Sequence, residues 1–82
     1  MTVVVLYFAA LRELCGRAEE RFDMPEQGST VALLRGLLLE RHPALGPHLG
    51  SVRFAVNESF VDVAARLAPG DTVALIPPVS GG

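Results

Sequence analysis

The residues best suited to chemistry in this sequence of 82 residues form its last segment, Pro77-Pro78-Val79-Ser80-Gly81-Gly82. Two adjacent prolines fix φ and favour an extended path, so the segment is expected to leave the body rather than fold back on it. Gly81 and Gly82 have no Cβ and suit a tunnel too narrow for side chains. Six extended residues reach about 20 Å, enough to carry a terminal carboxylate into a pocket on another protein.

The rest of the sequence holds no competing catalytic pattern. It has no Ser-His-Asp set at a recognisable spacing and no glycine-rich phosphate loop after a strand. Asp71 follows a Pro-Gly pair, so we interpret it as a turn residue, and Asn57 likewise. His42 and His48 fall in or beside a proline- and glycine-rich stretch without neighbouring acids or cysteines. We therefore interpret both as solvated loop histidines and predict no metal site.

Composition excludes several classes of function. All seven basic residues are arginine and the net charge is −2, so no lysine can form a Schiff base or bind phosphate. The arginines are scattered among acids, and nucleic-acid binding is not expected. Cys15 is the only cysteine, which excludes an intrachain disulfide and favours a reducing cytoplasm. The longest apolar stretch is far short of the ~20 residues that span a membrane, so no membrane partner is expected.

The chain is also rich in apolar residues for its size. The hydrophobic class makes up 50% of the residues before glycine is added, whereas an average soluble chain reaches about 45–50% with glycine included. The surplus predicts either an exposed apolar binding face or an unusually well-filled core. Composition alone favours neither.

The elements that must position the tail follow a simple order. Hydrophobic patterns predict strands over residues 2–8, 20–24, 52–56, 60–63 and 72–76, with a short helix over 9–15 that Gly16 ends. Thr30 is expected to cap the main helix, over 31–41. Leu33 and Leu39 widen the apolar stripe of this helix, so we expect it to be heavily covered.

The connections are predicted as a loop over 41–50, a turn over 57–59 and one helical turn over 64–67. Strands packed under one main helix define an α+β domain. The predicted domain covers residues 1–76, and an extended Gly-Gly tail covers 77–82.

Three blocks of this sequence resemble the MoaD family of ubiquitin-like sulfur carriers, and the match covers essentially the whole chain. They read Val5-Leu-Tyr-Phe-Ala-Ala-Leu-Arg-Glu-Leu-Cys-Gly16, Ala55-Val-Asn57 and Leu67-Ala-Pro-Gly-Asp-Thr-Val-Ala-Leu-Ile-Pro-Pro-Val-Ser-Gly-Gly82. The last block is the specific one. The resemblance implies a β-grasp fold, in which a mixed sheet wraps around the helix that begins near Val31.

The resemblance also implies an activity that needs partners, because the family's small subunit is not an enzyme on its own. A ubiquitin-activating-like adenylyltransferase would use ATP to adenylate Gly82, and sulfur would then replace the nucleotide to give a C-terminal 1-thioglycine. The molybdopterin synthase large subunit would receive the tail and pass sulfur to cyclic pyranopterin monophosphate, within a heterotetramer. No cofactor bound by the chain itself is implied.

Four residues match docking positions of the family. Phe8, Phe60 and Ile76 correspond to its apolar docking surface, and Arg12 corresponds to an arginine able to pair with an acid on a partner. Phe8 as a core residue and Arg12 as a solvated surface residue remain alternatives. Aliphatic Leu75 and Ile76 depart from the aromatics that family members often carry there.

Three other functions stay open at this point. Related β-grasp carriers with Gly-Gly ends serve thiamine thiazole, cysteine or tRNA thiolation pathways. A ubiquitin-like modifier would join its terminus to lysines of target proteins, and an interaction module would have an inert tail. The Phe-Ala-x-x-Arg-Glu opening and the Pro-Pro-Val-x-Gly-Gly ending favour the molybdopterin pathway.

Overall fold

The structure is a computed structural model that describes residues 1–78. Over that part of the chain the elements are β1 (Thr2–Tyr7), α1 (Ala9–Cys15), β2 (Glu19–Asp23), α2 (Val31–Arg41), α3 (Gly46–Leu49), β3 (Arg53–Val56), β4 (Ser59–Val61) and β5 (Thr72–Ile76). A 3-10 helix, Pro43–Leu45, joins α2 to α3. The predicted tunnel-threading residues Val79, Ser80, Gly81 and Gly82 lie outside the described residues.

The strands form one mixed sheet in the order β2-β1-β5-β3-β4. β1 and β5 pair in parallel, and the other neighbouring strands pair antiparallel. The central parallel pair brings the end of β1 beside the end of β5, so the chain leaves the sheet next to Phe8. The mixed sheet over one main helix confirms the predicted α+β, β-grasp architecture.

The core lies between the inner face of the sheet and α2. Alternation along β1 and β5 directs every second side chain inward, and these residues are buried against one face of α2. The buried members from the three elements are Val3, Val5, Tyr7, Val31, Leu34, Leu38, Val73 and Leu75. Burial of each such Val or Leu side chain stabilises the folded protein by roughly 1.5–3 kcal/mol. This layer therefore determines which face of the sheet is exposed to solvent.

The N-terminus of α2 is held by the segment that precedes β5. The Thr30 hydroxyl accepts a hydrogen bond from the Leu33 backbone N–H at 3.2 Å, as predicted for a cap. The backbone N–H groups of Val31 and Ala32 donate to the carbonyls of Ala65 and Val63 at 3.0 and 2.9 Å. The predicted helical turn over 64–67 is wrong, because Arg66 forms an antiparallel bridge with Thr30 instead.

Two further expectations about the helices are wrong. Leu33 and Leu39 are 38% and 43% exposed, so α2 buries one face only and is not heavily covered. Residues 41–50 are not a plain loop, since they contain the 3-10 helix and α3. Leu45 and Leu49 are buried there and extend the core beneath α2.

The short connections follow the predicted backbone chemistry. Gly16 ends α1 with φ of 72°, and its N–H donates to the Arg12 carbonyl at 2.9 Å. Asn57 and Glu58 join β3 to β4 with φ of 48° and 72°, the pair of positive values that suits a tight hairpin. Within residues 1–78, none of the helices has both the length and the apolar character needed to cross a membrane.

Candidate functional site

The outer face of the sheet carries an apolar groove of about 620 Å³. Because Val73 and Leu75 point inward, Ala74 and Ile76 must point outward. Ala74 is the register partner of Ala55 on β3, so two methyl groups form the floor in the middle of the sheet. Larger side chains stand on either side, and the depth of the groove follows from this difference in size.

The three predicted apolar docking residues line this one groove. Phe8 is 43% exposed and Phe60 is 56% exposed, while Ile76 is half-buried between them. Phe8 follows β1, where the alternation that buries Tyr7 directs the next side chain outward, so Phe8 is not a core residue. The structure therefore brings the three residues together, and their docking role stays a prediction.

The tail begins at the edge of the same groove. Pro77 and Pro78 directly follow Ile76, the first half-buried and the second exposed. Ala9, which follows Phe8 and begins α1, has a φ of 49°, a left-handed value that is uncommon for a non-glycine residue and that turns the chain sharply into the helix. The groove and the point where the tail leaves the body are thus adjacent.

Arg12 lies on α1 and is exposed. It does not line the groove, and among residues 1–78 no carboxylate lies within ion-pair distance of its guanidinium. The structure is compatible with both interpretations of Arg12, as a partner contact or as a solvated side chain.

Arg53 was not singled out from the sequence; it lines a neighbouring pocket rather than the groove itself, and it lies beside the groove through its contact with Phe60. Its guanidinium carbon lies 4.0 Å from the centroid of the Phe60 ring. Arg53 is also the register partner of Ile76, which places it at the tail edge of the sheet. A signal was present in the sequence, because Arg53 alternates with the buried Phe54 and must face outward.

Two of the sequence blocks that carry the resemblance meet at the other end of the groove. The Asn57 carboxamide donates to the Asp71 carboxylate at 3.0 Å and accepts from the Thr72 backbone N–H at 3.0 Å. The Asp71 carboxylate also accepts from the Ala68 N–H at 2.8 Å. Both side chains hold turns in place, as predicted, and neither is directed at a reacting group.

A buried polar cluster lies on the inner side of the sheet, centred on Glu20, which is only 7% exposed. Its carboxylate accepts hydrogen bonds from the Tyr7 hydroxyl at 2.7 Å and the Arg41 guanidinium at 3.1 Å. The His42 Nε2 atom lies 2.7 Å away and Arg17 lies 3.4 Å away. The interpretation of His42 as a solvated loop residue is therefore wrong, because it packs half-buried against this carboxylate.

The cluster has strongly shifted pKa values. Burial acts to raise the pKa of the Glu20 carboxyl, but the hydrogen bonds of its three main partners outweigh burial and lower it to about 2. Burial, followed by the bond to Glu20, raises the pKa of the Tyr7 hydroxyl far above its ordinary value. Burial and the charge of Glu20 also raise the pKa of the half-buried Cys15 thiol, which disfavours a nucleophilic thiolate.

Over residues 1–78, no three His, Cys, Asp or Glu side chains are grouped as metal ligands. His48 is exposed, as predicted. In the same residues every buried side-chain nitrogen and oxygen has a hydrogen-bond partner, so the Glu20 cluster leaves no polar atom directed at a ligand.

Comparison with known proteins identifies relatives over the whole chain. The sequence model of the ThiS family matches residues 5–82. A molybdopterin synthase sulfur carrier subunit from Chlamydomonas reinhardtii is 39% identical over 84 aligned residues, covering 100% of both chains. Small archaeal modifier protein 1 from Haloferax volcanii has a TM-score of 0.86 at 27% identity, covering 95% of this chain and 98% of its own.

A complex is also among the similar structures. One chain in the complex of subunits 1 and 2 of the molybdopterin-converting factor from Helicobacter pylori matches with a TM-score of 0.74 at 28% identity, covering 100% of both chains. Together these similarities confirm the resemblance to ubiquitin-like sulfur carriers drawn from the sequence.

Proposed function

The chain belongs to the ThiS family, and on that premise we propose that it is the sulfur carrier subunit of a molybdopterin synthase. A full-length relative bears that name, and a similar chain occurs in a two-subunit complex. The chain would supply the sulfur and two partner proteins would supply the catalysis. We expect it to act in the cytoplasm, where a single cysteine stays reduced.

The proposed cycle begins with activation of the Gly82 carboxylate. In a ubiquitin-activating-like adenylyltransferase, a carboxylate oxygen attacks the α-phosphate of ATP, pyrophosphate leaves and an acyl-adenylate forms. A sulfide-level nucleophile then attacks the acyl carbon and AMP leaves, which gives the C-terminal 1-thioglycine. The adenylate is required because a carboxylate has no good leaving group at its acyl carbon.

In the second half of the cycle, the tail delivers sulfur inside the large subunit. Residues 77–82 would extend into the large subunit's active site, where Gly81 and Gly82 suit a passage too narrow for side chains. The thiocarboxylate sulfur would attack a carbon of cyclic pyranopterin monophosphate and displace an oxygen substituent, which gives a thioester between Gly82 and the pterin. Water would then cleave the acyl–sulfur bond, so that the sulfur stays on the pterin and the Gly82 carboxylate is restored. Two carriers on a large-subunit dimer would form the proposed heterotetramer.

One observation carries this proposal, namely that the groove and the start of the tail share Ile76. Ile76 lines the groove and Pro77 follows it directly, so a partner that covers the groove is positioned to receive the tail. The exposed rings of Phe8 and Phe60 give such a partner an apolar anchor on either side of the alanine floor. The apolar surplus of the composition is thus partly used at this face.

A second candidate is a protein modifier, which the likeness to small archaeal modifier protein 1 favours. In that role the activated Gly82 acyl group would transfer to a lysine amine of a target protein instead of to sulfur. Sulfur carriage for thiamine thiazole, cysteine or tRNA thiolation is a further alternative, and it would use the same first half of the cycle.

Intact-mass measurement after incubation with the cognate activating enzyme, ATP and sulfide tests the proposal. We expect a mass increase equal to the replacement of one oxygen by sulfur, mapped to Gly82 and absent when Gly81 and Gly82 are deleted. A lysine-bearing acceptor protein in the same reaction tests the modifier role, which predicts a covalent conjugate. If an enzyme that loads another carrier neither changes the mass of this chain nor joins it to the acceptor protein, both the carrier role and the modifier role are contradicted.

A further inference from the structure

We infer that the partner which covers the groove places an Asp or Glu carboxylate against Arg53, beside the apolar side chain that enters over Ala55 and Ala74. This inference rests on the proposed function and specifies the partner's chemistry. The occupant is a protein surface that is apolar at its centre and acidic at the tail edge of the groove.

The position of Arg53 is the first argument. Arg53 pairs with Ile76 in the sheet register, and the residues just before Ile76 and Phe8 pair with each other, so Phe8 lies on the other side of Ile76. These three residues lie at the edge of the sheet from which Pro77 leaves. A partner that receives the tail must therefore pass over or beside this guanidinium.

The stacking on Phe60 is the second argument. The guanidinium lies 4.0 Å from the ring centroid, so it is held over an exposed aromatic face rather than free to sweep through solvent. Stacking leaves the edge of the guanidinium, where its N–H donors lie, available to a partner. These donors can form two parallel hydrogen bonds with one carboxylate. Because the stacked side chain is already held in place, it loses less conformational freedom on pairing than an unstacked arginine would.

Charge is the third argument. Arg41 and Arg17 are engaged by Glu20, at 3.1 and 3.4 Å. For Arg53, by contrast, residues 1–78 provide no carboxylate within 4.0 Å. Glu58 also lines the groove, but it follows Asn57 in the turn at the far end. A cation, Arg53, thus lies beside the tail edge of the groove, and an anion, Glu58, lines its opposite end.

The desolvation of Arg53 on binding favours a partner that carries an acidic side chain at this position. A wholly apolar partner would remove water from the guanidinium without replacing its hydrogen bonds, which is unfavourable. A partner carboxylate at that edge compensates the cation, and its attraction to Arg53 fixes the direction in which the partner lies across the groove. Correct direction matters here, because only one orientation aligns the tail with the partner's active site.

Affinity for the cognate molybdopterin synthase large subunit, measured by titration calorimetry at low and high salt, tests the inference. Arg53→Glu reverses the charge, and Arg53→Met keeps an unbranched stem over Phe60 without charge. Arg66→Glu, at an exposed position that lines neither the groove nor the pocket beside Arg53, is the matched control. We expect binding weaker by roughly thirty-fold for Arg53→Glu and roughly five-fold for Arg53→Met, and a change below about two-fold for the control.

The outcomes separate this inference from the proposed function. If the wild type binds the large subunit and Arg53→Glu binds as tightly as Arg66→Glu, the inference is overturned and the carrier role stands. If salt weakens large-subunit binding equally for the wild type and for Arg53→Met, the inference is also overturned. A guanidinium paired with a carboxylate must add to the effect of salt on the affinity. No binding of the wild type would overturn the proposed function and the inference with it. A dimer of the chain alone that Arg53→Glu disperses would make the occupant a second copy and overturn the inference.

Discussion

The His42 Nε2 atom lies 2.7 Å from the Glu20 carboxylate, although 22 residues separate the two in sequence. The contact joins the C-terminal end of α2 to β2. The Tyr7 hydroxyl donates to the same carboxylate from β1, and the Tyr7 and His42 rings meet edge-on with their centroids 5.8 Å apart. One buried carboxylate thus ties the main helix to two strands, on the face opposite the docking groove.

This carboxylate makes stability depend on pH in the acid range. Folding lowers the pKa of Glu20 from its ordinary value of 4.5 to about 2. Its contribution is therefore complete above the unfolded-state value and is lost as pH falls from 4.5 towards about 2. We expect the free energy of unfolding, measured with urea at several pH values, to fall across that window.

Glu20→Gln tests the assignment to this side chain. The amide cannot form an ion pair with Arg41, so we expect the free energy of unfolding at neutral pH to fall by roughly 2–3 kcal/mol. We also expect it to change less as the pH is lowered. Glu19→Gln, its exposed neighbour on β2, is the control and should change stability by less than about 0.5 kcal/mol. If the free energy of unfolding falls equally steeply with decreasing pH in Glu20→Gln and in the wild type, other carboxylates cause the pH dependence.

Two glycines of the helices give opposite predictions. Gly36 lies within α2, where a methyl group would meet only open space, so Gly36→Ala should stabilise the protein by about 0.5–1 kcal/mol. Gly16 has a φ of 72°, and Gly16→Ala should destabilise it by about 1 kcal/mol even though no atom would touch the methyl group. Thermal unfolding of both variants checks the signs, and equal shifts would contradict the backbone argument.

The fold was predictable wherever one local pattern decides the outcome. Alternation along β5 fixed which side chains point inward, and the Thr30 cap and Gly16 terminator marked helix ends correctly. The Glu20 cluster was not predicted, because His42 reaches it only when α2 lies across β2. A signal was nevertheless present, since Glu20 has the same phase as the buried Phe22 and so faces the core.

Phe60 is expected to anchor the large subunit without supporting the fold. The ring is 56% exposed, so Phe60→Ala should leave thermal unfolding nearly unchanged and weaken large-subunit binding by roughly ten-fold or more. Leu39→Ala, on α2 and 43% exposed, removes a comparable apolar group from the other side of the protein. If the two variants lose the same affinity, the groove is not the docking face.

A further prediction concerns a larger side chain at the alanine floor of the groove. Ala74 and Ala55 are register partners at the centre of the groove, so Ala74→Leu would fill the space meant for a partner side chain. We expect large-subunit binding to weaken by roughly ten-fold while the fold is retained. Ala44→Leu, at an exposed position of the 3-10 helix, is the size-matched control, and a similar affinity for both variants would contradict the assignment of the floor.

The site was predictable in part, for a reason that concerns geometry. Phe8 directly follows β1, whereas Phe60 and Ile76 lie on β4 and β5, and strand alternation predicts that each of the three points outward. Their gathering into one groove depends on the parallel pairing of β1 with β5 and on small residues between them. Arg53 was missed because its significance comes from the Phe60 ring beneath it, which no spacing along the chain shows.

Sulfur transfer in a single turnover tests the central claim most directly. The chain is first loaded as the thiocarboxylate and then mixed with the cognate large subunit and cyclic pyranopterin monophosphate, with pterin sulfur and chain mass followed together. We predict that sulfur appears in the pterin as the Gly82 thiocarboxylate returns to the carboxylate. Gly82→Ala should unfold at the same temperature and transfer little sulfur, because its methyl group obstructs the passage. A wild-type thiocarboxylate that persists beside a large subunit active with another carrier would contradict the account.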